Sequence, residues 1–210
     1  MPETTHNTPQ HKLTRKGEQT RQRIVSAAAE LVFENGVAGT TMEDVRVAAN
    51  VSSSQVYHYF VDKQALVRAV IEYQTDFILG YQEPMVTKLD TMADLRAWRD
   101  RIVEHQRELE CRGGCPIGSI GGELAETDSL SRSDVASGFV RWEVAIRTGL
   151  RAMQARGGLR PEVDADELAL ATLTALQGGL LMTQIQRRTR PLEVVLDAML
   201  DYVATLTTGR

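Results

Sequence analysis

Cysteines, aromatic rings and long apolar runs are scarce in this chain. Cys111 and Cys115 are the only cysteines in 210 residues, too few for a disulfide framework. Aromatic residues make up 5%, which argues against a binding scaffold built on rings. No run approaches the roughly 18 consecutive apolar residues of a membrane span, and the opening MPETTHNTPQHKLTRKGEQT holds no apolar block for a secretory signal. These absences predict a cytoplasmic protein with no membrane partner. Four histidines are scattered without a repeated ligand spacing, so no metal or other cofactor is expected. A nucleophile elbow, a glycine-rich phosphate loop and an HExxH motif are also missing, which leaves a helical enzyme as the weaker alternative class.

What is present suits a soluble, mostly helical protein: 42% hydrophobic and 25% charged residues with 16 glycines and 6 prolines. The formal net charge of -4 is unevenly spread. Seven basic and seven acidic side chains balance over residues 1–63, so the whole excess of acid belongs to residues 64–210. Lys12, Arg15, Lys16, Arg21 and Arg23 face a single acid, Glu18, across residues 12–23. A basic arm beside a helix start is an electrostatic footprint for a polyanion.

Apolar spacing predicts about nine helices. Ile24, Ala27, Ala28, Leu31 and Val32 form one stripe of a first helix over residues 18–35, closed by Gly36. Thr41, with Asp44 three residues on, reads as a capping box opening a second helix over 42–49 that buries Met42, Val45, Ala48 and Ala49. Asn50, Val51 and Ser52 turn the chain into a third helix over 53–60, with Val56, Tyr59 and Phe60 inward. Asp62 caps a long fourth helix striped by Leu66, Ala69, Val70, Tyr73 and Phe77, and Pro84 marks its end or a kink. Leu95, Trp98, Ile102, His105 and Leu109 share a face of a fifth. Arg112 to Gly114 break it, and Pro116 opens a sixth. A seventh covers 131–156, an eighth 164–187, and a ninth starts at Pro191 with Leu192, Val195, Leu196, Met199 and Val203 inward.

The second and third helices, joined by a short turn, form a helix-turn-helix. Bulky residues point inward from the third, while Ser53, Ser54, Gln55, Tyr57 and His58 point outward with hydrogen-bonding groups long enough for base edges and phosphates. The expected organisation is a basic arm over 1–17, a DNA-binding unit over 18–63 and a larger helical unit over 64–210.

Over residues 36–66 the sequence GVAGTTMEDVRVAANVSSSQVYHYFVDKQAL resembles the signature of the TetR family of bacterial transcription regulators. The matching features are Gly36, Thr40 and Thr41, Val45 with Ala48 and Ala49, Val51 and Ser52 in the turn, then Val56, Tyr57, Phe60, Lys63 and Leu66. Asn50 and Ser54 stand where the family often has glycine, and Tyr59 where it often has histidine. The stretch CPIGSIGGELAE over 115–126 is similar to a segment of the LmrA-like branch. The resemblance implies an all-α homodimer that binds a palindromic double-stranded DNA operator and is released by a small molecule. On that reading Thr41 and Lys63 meet phosphates at helix starts, Ser52, Ser53 and Ser54 contact the duplex, Tyr57 and His58 hydrogen-bond its backbone, and Gln55 reads a base.

Effector walls are expected at Trp98, Ile102, Phe139, Trp142 and Met182, with His105 and Gln177 as the polar groups. That composition predicts an apolar or aromatic effector. The eighth helix is apolar on two faces. Its Leu170, Leu173, Leu176 and Leu180 face is expected to join Leu196, Met199 and Val203 of the ninth in a two-fold seam. Cys111 and Cys115, with Arg112 beside them, leave a thiol-sensing regulator open as an alternative to two unrelated small residues.

Overall fold

The computed structural model describes residues 13–86 and 91–208; residues 1–12 of the expected basic arm lie outside that range. The described residues form nine α-helices: α1 (Arg15–Asn35), α2 (Met42–Ala48), α3 (Ser53–Tyr59), α4 (Lys63–Val86), α5 (Met92–Glu108), α6 (Pro116–Leu124), α7 (Ser129–Ala155), α8 (Ala165–Gln186) and α9 (Arg190–Thr205). Among these residues extended pairing is limited to one antiparallel bridge, Leu159 with Thr207. The fold is all-α, as the spacing predicts. The expected boundaries of α2, α3, α7 and α8 and the start of α9 shift by one or two residues, and α1 begins three residues early, at Arg15, so the last residues of the expected arm are helical. The reason is a cap, because Thr14 Oγ1 accepts the Gly17 N–H at 3.2 Å.

Two apolar cores share α4. Ile24, Ala28 and Val32 of α1, Val45 of α2, Val56 of α3 and Leu66 and Val70 of α4 build the first, with Ile120 of α6 and Val135 of α7 added from beyond it. Further along α4, Ile78 and Val86 join Trp98, Ile102, Trp142, Ile146, Leu176 and Leu196 in the second. Phe139, half-buried, packs on both. The α4 stripe departs from expectation at Phe77, which is 58% exposed, while Thr75 is buried. Gly138 of α7 explains the exchange: a Cβ there would stand 2.7 Å from Thr75 Oγ1, so the two helices meet backbone to side chain at that level. Pro84 lies inside the last turn of α4, which runs two residues past it.

The eighth helix shows the larger correction. Leu173, Leu176 and Leu180, expected in a seam between protomers, are buried within one protomer, as are Leu196 and Val203 of α9, and Met199 is half-buried against the same core. The cause is packing on two sides, since α8 lies between α7 and α9. Its outward apolar residues are Leu170, Leu181, Met182 and Ile185, joined by Val194 and Tyr202 of α9. By length and mean hydropathy, 1.4, α8 is the one described helix able to cross a membrane, yet its inner side is core.

Candidate functional site

The helix-turn-helix is held by two reciprocal caps. Thr41 Oγ1 accepts the Asp44 N–H at 3.1 Å, and Asp44 Oδ2 accepts the Thr41 N–H at 2.9 Å and its hydroxyl at 2.6 Å. These bonds from Thr41 hold the Asp44 carboxyl below the usual carboxylate range. At α3, Ser52 Oγ accepts the Gln55 N–H at 3.2 Å while Gln55 Oε1 accepts the Ser52 N–H at 2.9 Å. Asn50 takes the turn at φ +50°, which an asparagine tolerates. Arg46, absent from the sequence reading, pairs with Glu43 through both carboxylate oxygens at 2.8 and 2.6 Å. Its signal was the i,i+3 spacing of Glu43 and Arg46.

These caps aim one polar face outward. Ser52, Ser53, Ser54, Gln55, Tyr57 and His58 are all exposed, and His58 meets the Tyr59 ring edge-on at 4.9 Å. Lys63, half-buried, opens α4, where Asp62 Oδ1 accepts the Ala65 N–H at 2.7 Å. Four of the expected contacts are therefore internally engaged: the Thr41 hydroxyl by Asp44, the Gln55 carbonyl oxygen by Ser52, and the Ser52 and Ser54 hydroxyls by each other at 3.0 Å.

A carboxylate from α6 reaches this unit. Glu123 Oε1 accepts the Val37 N–H at 3.0 Å, and its Oε2 accepts the Ala38 N–H at 3.1 Å. Gly36 makes room, because it sits at φ +75° and a Cβ there would lie 2.7 Å from Glu123 Oε1. The contact spans more than eighty residues of sequence, and no local pattern announces it.

Behind α6 lies a cavity of about 70 Å³. Of the expected effector residues, Ile102, His105 and Trp142 line it. Trp98 does not: it faces a separate void of about 10 Å³ with Ile146 and Leu150. The two indoles are linked instead, since Trp98 Nε1 and Trp142 Nε1 both donate to Gln82 Oε1 at 3.2 Å. Phe139 packs between the two cores, and Met182 is 44% exposed on the outer side of α8, so neither forms a wall. Gln177 stands one layer back, where its amide meets Cys115. Sequence reading missed Phe33, Tyr81, Gln82 and Gln106 among the walls. The amides carried a signal, as polar side chains on otherwise apolar stripes. His105 sits at the rim, tilted on the Tyr81 ring at 5.2 Å with Nδ1 3.4 Å from Glu108.

The α5–α6 loop closing this cavity is strained. Glu110, Cys111, Gly113 and Gly114 all take positive φ. Cys115 caps α6, its Sγ accepting the Gly118 N–H at 3.4 Å, and burial pushes its thiol up to about 11. Arg112 points to solvent, so the expected promotion of a thiolate does not occur at Cys115. Among the described residues no cluster of three His, Cys, Asp or Glu is arranged for a metal.

Comparison with known proteins gives the same fold and class. The family described as "Bacterial regulatory proteins, tetR family" matches residues 24–70, and "Tetracyclin repressor-like, C-terminal domain" matches residues 91–199. The chain is 25% identical over 193 residues to the HTH-type transcriptional repressor DhaR of Mycobacterium sp. (strain GP1), covering 89% of this chain and 96% of the relative. It is 27% identical over 173 residues to the transcriptional regulator AcuR of Cereibacter sphaeroides, covering 81% and 79%. A TetR regulatory protein from Rhodobacter sphaeroides shares the fold with a TM-score of 0.78 at 24% identity over 87% of this chain and 98% of that one. A TetR transcriptional regulator from Chloroflexus aurantiacus does so with 0.73 at 27% over 92% and 98%. These matches name regulators and no enzyme. With one family profile covering more than half of its length and another covering its capped helix-turn-helix, the chain belongs to the TetR family of DNA-binding transcriptional regulators.

Proposed function

We propose that this regulator is a cytoplasmic homodimeric repressor that holds a palindromic operator and leaves it when a small molecule occupies the cavity behind α6. The observation that carries the reading is the Glu123 bridge, because it ties the helix lining the cavity mouth to the loop that sets α2 and α3. A ligand can lower operator affinity only by favouring the conformation that binds DNA poorly, and about 1 to 3 kcal/mol of coupling suffices. Phe33 adds a second route: it belongs to α1 of the DNA-binding unit and yet lines the cavity. Helix α4 is a third, since it enters both cores.

On this reading residues 18–63 form the DNA-binding unit and residues 64–210 the effector and dimer unit. Ser53, Ser54, Tyr57 and His58 contact the duplex, Ser52, Thr41 and Lys63 approach phosphates, and Gln55 reads a base once its amide leaves the cap. The protomers join through the outward stripe of Leu170, Leu181 and Ile185 on α8 with Val194 and Tyr202 on α9. Exposed Gly178 lies mid-stripe, with nothing within 4 Å of its Cβ position, and allows close approach of a second helix. Two-fold pairing sets the recognition helices about one DNA turn, roughly 34 Å, apart.

Selection of bound fragments from genomic DNA, followed by footprinting, tests the reading. A short inverted repeat protected on one face of the duplex is the expected result. Recovery of fragments without a common sequence would overturn it.

A further inference from the structure

Two polar atoms without a hydrogen-bond partner among the described residues belong to side chains that line the 70 Å³ cavity. They are Tyr81 Oη, beside the Arg101 guanidinium, and Gln106 Oε1; behind them the Gln177 amide is engaged by Cys115. Gln106 is 3% exposed, so its carbonyl oxygen is shut off from bulk water. Leaving such a group unpaired costs about 1 to 3 kcal/mol, and folded proteins keep few of them. The remaining amide oxygen in the wall is used up, since Gln82 Oε1 takes both indole N–H groups.

The walls also say what does not fit. No Asp, Glu, Lys or Arg lines the cavity, and of the charged or titratable groups around it His105 is engaged by Glu108 while the Arg101 guanidinium lies over the Tyr81 ring, so an ionised ligand finds no dedicated counter-charge. Burial keeps the Tyr81 phenol above its ordinary range and therefore protonated, a donor at neutral pH. Space is short. At roughly 10 to 15 Å³ for each water-sized group the cavity holds about five, against several hundred Å³ for a drug-sized ligand. The ring-lined walls suggested an apolar or aromatic molecule; the volume and the unpaired atoms favour a smaller and more polar one.

We infer that the cavity takes a small uncharged molecule of about four to six non-hydrogen atoms with a hydrogen-bond donor beside an acceptor, a short amide or alcohol. Its N–H or O–H donates to Gln106 Oε1, its oxygen accepts from Tyr81 Oη–H, and its alkyl end lies against Ile102, Trp142 and Leu180. This inference rests on the effector reading above, and the test separates the two.

Full-length protein is titrated with propanamide, 1-propanol, propanoate and toluene. Thermal melting and operator gel shift are both read, for the natural chain and for Tyr81→Phe and Gln106→Leu. Both substitutions remove an unpaired polar group and are expected to fold, since an apolar replacement at such a site is near neutral. Propanamide and 1-propanol should raise the melting temperature by about 2 to 4 °C near saturation and weaken operator binding at least fivefold. Each variant should lose that response at least tenfold in half-saturating concentration. A larger shift with propanoate or toluene, a response retained in both variants, or no shift with any probe overturns the inference. Propanamide binding that leaves operator affinity unchanged upholds the cavity chemistry and overturns the effector reading.

Discussion

The ring of Phe33, on α1, fills the space that a side chain at Gly113 would need. Gly113 also stands at φ +75°, where any L side chain is strained. Gly113→Ala should therefore destabilise the protein by about 2 to 4 kcal/mol, combining overpacking with backbone strain. Phe33→Ala in the same chain should recover the steric part and leave about 1 kcal/mol of strain. Urea unfolding of the two single variants and the double variant, at one protein concentration, measures this; additive losses would mean that ring and loop do not meet.

Glu123→Ala removes the acceptor of the Val37 and Ala38 amides. Hydrogen bonds to a charged group are worth roughly 1.5 to 3 kcal/mol each when shielded, and less at an exposed site such as this. Amide exchange at Val37 and Ala38 should accelerate about tenfold or more, while amides in the middle of α7 keep their rates. Exchange unchanged at both would remove the bridge from the argument.

Cys115 makes stability depend on alkaline pH. Its thiol is raised by burial from an ordinary 9.0 to about 11, so the folded state retains a proton that the unfolded chain gives up. Stability from this group is complete below pH 9 and declines as pH rises towards 11. With Cys111→Ala in both proteins, the natural Cys115 and Cys115→Ala should keep a constant difference in urea midpoint up to pH 9 and converge above it. A constant gap to pH 11 would show that the thiol is not held neutral.

Lys63→Ala should weaken binding to all DNA sequences alike and flatten the dependence of log affinity on log salt by about 0.9 for the lost phosphate contact. Gln55→Ala should act differently, relaxing preference at one base pair in each half-site. Its helix also loses half of a capping box, so folding needs a separate melt, with a cost of about 1 kcal/mol expected. Equal losses on operator and random DNA for both variants would leave Gln55 with no reading role.

Two apolar positions on α8, Ile185 and Leu176, should behave in opposite ways. Ile185→Arg places charge on the outward stripe and should give a folded monomer by light scattering, with operator binding lost. Leu176→Arg puts an unpaired charge into the protomer core, which should cost about 4 kcal/mol or more and unfold the chain. An Ile185→Arg protein that stays dimeric would move the seam elsewhere.

Much of this was legible before any coordinates. The caps at Thr41, Ser52 and Asp62 were readable because capping is local chemistry between residues three apart. Helix count and most of the first core followed from 3.6-residue spacing, with Ala48, expected inside, standing exposed. The orientation of α8 was not readable, because a helix apolar on two sides offers its neighbours either face. Only the positions of α7 and α9 decide that Leu176 turns in and Ile185 out. The cavity was half legible. Ile102 and Trp142 lay on predicted stripes, whereas Phe33 comes from another unit, and Trp98 and Trp142 were separated by a glutamine that the pattern could not place.

The reciprocal cap at Ser52 and Gln55 bears on how such a protein discriminates among sequences. A recognition side chain in solvent trades its water for the right base; Gln55 Oε1 instead holds the Ser52 N–H. On the proposed reading, recognition of a base exchanges that protein-held bond for another, and the reward is the difference between them. On wrong sequence the amide stays at home, satisfied, so the helix can travel along the groove with little penalty at each mismatched step. Such a device trades depth of preference at that base pair for speed of search. It leaves phosphate contacts, and the spacing of the two half-sites, to supply most of the hold.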